Sequence, residues 1–135
     1  MAANLTITVC RPVRVLEQIT GPAGEVMAIG VAVKINTTTG LLEKANGSSA
    51  AEARLCGILI TPCRVVNETV TAVRKGIVDI GAALDALTYD DDVFLSDTDG
   101  LLADTVGSNA LPHGNMTVIP GNATTTPDKL LRVDL

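Results

Sequence analysis

The sequence predicts an all-β domain, mainly strands with one or two short helices, and three observations carry that prediction. The chain holds 15 Val, 9 Ile and 16 Thr, so β-branched residues make up 40 of its 135 positions. Such side chains suit the pleated, half-buried surface of a sheet. Twelve Gly and six Pro punctuate the chain at short intervals, as turns between short strands require. Tyr89 and Phe94 are the only aromatic residues, which leaves small branched aliphatics to build the core. A length of 135 residues fits one domain, and 47% apolar against 19% charged residues excludes a disordered chain.

Leu5, Ile7 and Val9 alternate with Thr6 and Thr8, which reads as a strand or an extended arm. Arg11-Pro12 is expected to interrupt any continuous ladder, dividing the chain into an amino-terminal strand or arm, 1–12, and a single β-rich domain, 13–135. Val13-Arg14-Val15 resumes the pattern, Gly21-Pro22-Ala23-Gly24-Glu25 is a turn, and Val26 to Asn36 is a β-rich run interrupted by Gly30. Ser48 to Leu55 predicts a short helix capped by Ser48 or Ser49. Gly57 to Ile60, Thr69 to Lys75 and Gly76 to Gly81 read as three strands, with a second short helix near Ala82–Leu87. Val93 to Leu95, Met116 to Ile119 and Leu130 to Leu135 complete the set.

Sliding the sequence by 60 positions aligns Val13 to Ala50 with Val73 to Ala110 at 12 identities in 38 positions. About three would arise by chance from this composition. The shared unit is a hairpin: Val33, Thr38, Gly40, Leu41 and Leu42 match Val93, Thr98, Gly100, Leu101 and Leu102. Convergence of two ordinary hairpins and true duplication both account for it.

The chemistry the residues offer is sparse. Cys10, Cys56 and Cys63 are an odd number at spacings foreign to zinc and redox sites, and they read as reduced, buried thiols. His113 is the only histidine. No Gly-x-Ser-x-Gly and no phosphate-binding loop occurs. Asp90-Asp91-Asp92 and Asp97-x-Asp99-Gly100 invite a calcium reading, but Leu95 and Val106 stand where an EF-hand needs carboxylates, so turn-forming Asp is preferred. Catalytic, cofactor and metal residues are therefore all expected to be absent. A net charge of −5 disfavours nucleic acid as a partner. No apolar run approaches the roughly 18 residues of a membrane helix, and the opening residues carry no secretory signal. Six of the seven asparagines, Asn4, Asn36, Asn46, Asn67, Asn115 and Asn122, open Asn-x-Ser/Thr triplets, an excess that glycosylation does not explain without such a signal.

The order Gly24-Glu25, Gly30, Val33, Gly40-Leu41 and Ala45, then Gly57-Ile58, Gly76-Ile77-Val78 and Val93-x-Leu95-Ser96-x-Thr98-x-Gly100, resembles the head decoration, or capsid cement, proteins of tailed phages. The closing stretch from Pro127 to Leu135 is similar to their terminal strand. The resemblance implies a compact β-barrel, β-tulip-like or sandwich domain with two similar hairpin units, assembled as a homotrimer. It implies binding to the major capsid protein on the outer surface of the expanded icosahedral head, with no catalytic residues, no nucleic acid and no membrane. The localisation would be the virion head surface, reached from the host cytoplasm during assembly. Asn4, Leu5, Thr6, Ile7, Thr8 and Val9 are the candidate capsid-binding residues, because an alternating edge segment can add to a partner sheet. The alternatives are a tail-tube or head–tail connector subunit, a small trimeric β-fold enzyme and a surface adhesin.

Overall fold

The computed structural model describes residues 4–109, 115–121 and 129–135. Its strands are β1 (Arg11–Pro22), β2 (Ala32–Ile35), β3 (Leu42–Lys44), β4 (Gly57–Leu59), β5 (Thr69–Asp79), β6 (Asp92–Leu95), β7 (Leu102–Ala103), β8 (Asn115–Pro120) and β9 (Lys129–Asp134). A short 3-10 helix, Gly81–Leu84, follows β5 where the second helix was expected. The strands pair antiparallel in the order β3-β2-β4-β5-β9-β8-β6-β7, with β1 joined to β5 alone. The fold is thus all-β.

β5 is the spine of the sheet. Along its whole length it pairs with β1, and on its other side it pairs first with β4 and then with β9. Sequence reasoning divided this stretch at Gly76, but it is one strand, and Gly76 sits inside it opposite both Val15 and Val133. The alternation of buried and outward residues along β5 breaks at Ala72 and Val73, which are both fully buried. Each belongs to a different core: Val73 packs with Ile58, Val78, Leu95, Met116 and Leu131, whereas Ala72 packs with Met27, Leu42, Leu59, Cys63 and Val70. The sheet is covered on both faces at this point. Burying each such Val, Leu or Ile contributes about 1.5–3 kcal/mol.

The sheet curls into a half-barrel. No ladder closes it among the described residues, so a full barrel is not formed. Its ends nevertheless meet, because Ala32 N–H donates to Gly100 O at 3.0 Å, Gly100 N–H to Ala45 O at 2.7 Å and Gly47 N–H to Ser96 O at 2.7 Å. These bonds tie the open end of the β2–β3 hairpin to the β6–β7 turn. The two hairpins share register at the offset of 60: Ile35 faces Leu42 and Leu95 faces Leu102. Gly40 and Gly100 both adopt φ +74°, a conformation L side chains enter only with strain.

Three local expectations are corrected. Ser48 to Leu55 forms a single turn instead of a helix: Ala53 N–H donates to Ser49 O, Ser49 Oγ caps Glu52 N–H, and Leu55 N–H already bonds within the turn. Eight residues cannot repay helix nucleation on their own. Pro12 lies within β1, opposite Val78, which an edge strand tolerates because one side of its backbone needs no partner. The run from Val26 to Asn36 yields a strand only from Ala32, since Gly30 turns the chain at φ +81° and Met27 makes an isolated bridge to Cys63. His113 lies outside the described residues.

Candidate interaction surface

The segment Asn4–Val9 lies against the half-barrel without joining its ladders. Its backbone ties among the described residues are a bridge from Asn4 to Ala103 and a bond from Leu5 N–H to Leu102 O at 2.8 Å. The alternation seen in the sequence decides its side-chain directions. Leu5 is 8% exposed and belongs to the main core, and Ile7 packs against that core from its rim. A Cβ at Gly30 would overlap Ile7, and one at Gly81 would lie 2.7 Å from Val9 Cγ2, so both glycines make room for this segment. Asn4, Thr6 and Thr8 are exposed. Asn4 also reaches the β6–β7 turn, where its Oδ1 accepts from Ser96 Oγ and its Nδ2 donates to Thr98 Oγ1.

β1 is the other feature turned outward. Its twelve residues are exposed or half-buried throughout, and its outer edge has no strand partner among the described residues. Leu16 is 67% exposed, Val13 49% and Val15 39%. What holds β1 is the ladder to β5, with ion pairs Arg11–Asp79 at 3.8 Å and Glu17–Arg74 at 3.5 Å and a Thr20–Thr71 hydroxyl pair at 3.0 Å. Bulges between Pro12 and Arg14 and around Glu17 bend it, a feature that discourages indiscriminate edge pairing. A long edge with free donors and acceptors and exposed aliphatics is suited to association. Sequence reasoning missed it, having placed the free edge in Asn4–Val9.

The groups that invited chemistry are occupied structurally. Cys10, Cys56 and Cys63 are free and buried. Burial, reinforced by Asp79, pushes the Cys10 thiol up to about 11, and burial also pushes Cys56 up to about 11, so neither supplies a thiolate at neutral pH. Asp97 accepts from Ser108 N–H at 2.9 Å and Ser108 Oγ at 2.6 Å, which holds its carboxyl below the usual range. Asp99 accepts from Asn46 Nδ2. No group of three potential metal ligands occurs among the described residues. Two of the six asparagine triplets gain a physical explanation here. Asn36 Oδ1 accepts from Thr38 N–H, and Asn46 Oδ1 accepts from Ser48 N–H and Oγ, so these two mark turns closed by the asparagine side chain.

An open cleft of about 620 Å³ lies beside the β2–β3 hairpin, between Lys34, Glu43, Glu52, Arg54 and Arg74. Lys34 Nζ lies 2.5 Å from Glu43 and 3.6 Å from Glu52. The hydrogen bond that Lys34 donates to Glu43 raises the Lys34 pKa and lowers that of Glu43. The ion pair makes Lys34 a brace between β2 and β3.

Comparison with known proteins finds no matching family model, curated protein or solved structure.

Proposed function

We propose that this chain is a structural subunit of a tailed-phage virion, a decoration protein that binds the outer surface of the expanded head as a closed homotrimer and stabilises it. The observation that carries the reading is the order of glycines and aliphatics from Gly24-Glu25 to the terminal strand. The exposed β1 edge supports it, because a domain with aliphatics on such a strand gains by burying them against a copy or a capsid protein. The structural use of the cysteines, aspartates and Lys34 agrees with a role without catalysis. In this reading the two hairpins are units of an internal duplication, for which the shared register and the matching turn bonds speak. Asn36 N–H donates to Leu41 O, as Ser96 N–H does to Leu101 O.

Segment Asn4–Val9 contributes part of the capsid contact, through Asn4, Thr6, Thr8 and its free backbone groups, while Leu5, Ile7 and Val9 anchor it to the domain. The partner is the major capsid protein, and the protein acts at the head surface after assembly in the host cytoplasm. Co-sedimentation with expanded and unexpanded heads, preceded by light scattering of the free protein, tests this. A trimer that sediments with expanded heads alone is expected. Open-ended polymers would favour a tail-tube subunit, since tubes extend where decoration proteins close.

A further inference from the structure

The edge strands of a sheet present unpaired N–H and C=O groups, which natural proteins cover or leave for a partner. Three strands here have a ladder neighbour on one side alone among the described residues: β3, β7 and β1. The chain covers two of these edges itself. Along β3, Gly24 N–H donates to Leu42 O at 2.7 Å, Ala23 bridges to Leu42, and Lys44 N–H donates to Glu25 Oε2 at 3.2 Å. Along β7, Leu5 N–H donates to Leu102 O and Asn4 bridges to Ala103. β1, the longest strand at twelve residues, has no such cover among the described residues.

The open edge lies where basic residues outnumber acidic ones. β1, β5 and β9 hold six of the ten basic residues, Arg11, Arg14, Arg74, Lys75, Lys129 and Arg132, and three of the fifteen acidic ones, Glu17, Asp79 and Asp134, a net charge of +3. The rest of the chain holds four basic and twelve acidic residues, a net charge of −8. Ion pairs join Arg11 to Asp79, Arg74 to Glu17 and Arg132 to Asp134. Lys129 is engaged at the far end of β9, donating to Asp85 O and Leu87 O and lying over the Tyr89 ring. The excess therefore sits beside β1. Arg14 faces Ile77 and Ile77 faces Arg132 in register, and a groove of about 230 Å³ there is lined by Arg14, Leu16, Lys75, Ile77, Arg132 and Asp134.

These features specify what the edge receives. Free backbone donors and acceptors along a strand are matched by another extended backbone. The basic surroundings require carboxylates on that backbone, and exposed Val13, Val15 and Leu16 require aliphatics between them. Glu17, Asp79 and Asp134, set among the cations, repel the uniform negative charge of a nucleic-acid backbone or an anionic lipid surface. A second copy offers no such segment among the described residues. Its β3 and β7 edges are covered, its β1 carries the same basic excess, and its residues 1–10 contain no carboxylate. We propose that β1 is a docking edge for the capsid protein, and that it receives an extended acidic segment of that protein, with carboxylates and aliphatics interspersed, as a further strand of the sheet. Arg11 and Arg14 then admit an acidic strand and turn away a basic one. The inference rests on the capsid reading above and names the chemistry of the partner's side.

The test uses the full chain and expanded heads, with hydrogen exchange and co-sedimentation as readouts. Exchange of the β1 amides should slow at least about tenfold on head-bound protein relative to free protein. Arg11→Glu/Arg14→Glu should weaken head binding at least about tenfold, and Arg11→Gln/Arg14→Gln should weaken it less and flatten its salt dependence. Arg54→Gln/Arg64→Gln, which changes exposed cations off these strands, should bind as the wild type does. Circular dichroism checks folding; if the reversal unfolds the chain, the Gln pair and the wild-type exchange decide. A wild type that binds heads while β1 exchanges as in the free protein overturns the contact and leaves the capsid reading standing, as does a folded β1 variant bound undiminished. Loss of trimer mass in the β1 variants by light scattering overturns it too, because the edge then meets a copy. Duplex DNA held as tightly as heads assigns the face to nucleic acid instead. A wild type that sediments with no heads removes the capsid reading and this contact with it.

Discussion

Replacing Leu5 by alanine separates an anchored amino-terminal segment from a loose arm. Leu5 is 8% exposed, packs within the main core and is held in place by the bond from its N–H to Leu102 O, so the segment cannot slide to refill the space. Leu→Ala changes in cores cost about 2–5 kcal/mol. A residue at the rim of the cluster falls at the lower end, about 2–3 kcal/mol. For a domain of this size that is a fall in Tm of roughly 6–15 °C, and in urea a midpoint lower by about 1–2 M with the slope unchanged. The chain has no Trp, so far-UV circular dichroism is the signal, at fixed protomer concentration because association would contribute to stability. Thr6→Ala and Thr8→Ala change exposed residues and should stay within about 0.5 kcal/mol while weakening head binding. A loss below about 1 kcal/mol for Leu5→Ala would show that the segment is not part of the core and refute the reasoning.

Other perturbations reach different parts of the fold. Gly76→Ala places a Cβ on the Arg14 carbonyl oxygen at φ +146°. It should cost at least about 1–3 kcal/mol and speed hydrogen exchange along β1, and unchanged protection there would contradict the pairing. In the native protein Cys10, Cys56 and Cys63 should resist a thiol reagent at pH 8 and all react after unfolding; rapid native labelling would show an accessible thiol. The Asp97 carboxyl is held below its ordinary value by Ser108. Its contribution is therefore present above the unfolded value and lost as pH falls through the folded one. Asp97→Asn should flatten the acid limb below about pH 4, and an unaltered limb would remove this role. A chelator should leave Tm unchanged, because Asp97 and Asp99 already accept hydrogen bonds from Ser108 and Asn46; a drop of several degrees would restore the calcium reading.

The sequence by itself determined what depends on local chemistry. Composition decided the all-β class, since 40 β-branched residues leave little else to form. Period-two alternation decided which side chains of Leu5–Val9 turn inward, and the offset of 60 aligned two hairpins whose register and turn glycines agree. Tertiary structure alone decided the rest. Ala72 and Val73 are neighbours with no alternation between them, and only the presence of a core on each face of β5 buries both. Gly76 reads locally as a strand boundary, yet with β1 on one side and β9 on the other it lies inside the longest contact of the sheet. The exposure of β1 was hidden for the same reason. Val13, Val15 and Leu16 look like core in sequence, and whether an aliphatic strand is covered depends on which elements pack over it, which residues far away in the chain decide. The row of Arg14, Ile77, Arg132, Thr117 and Asp92 across the sheet was equally invisible, because these residues line up only through the pairing of five strands.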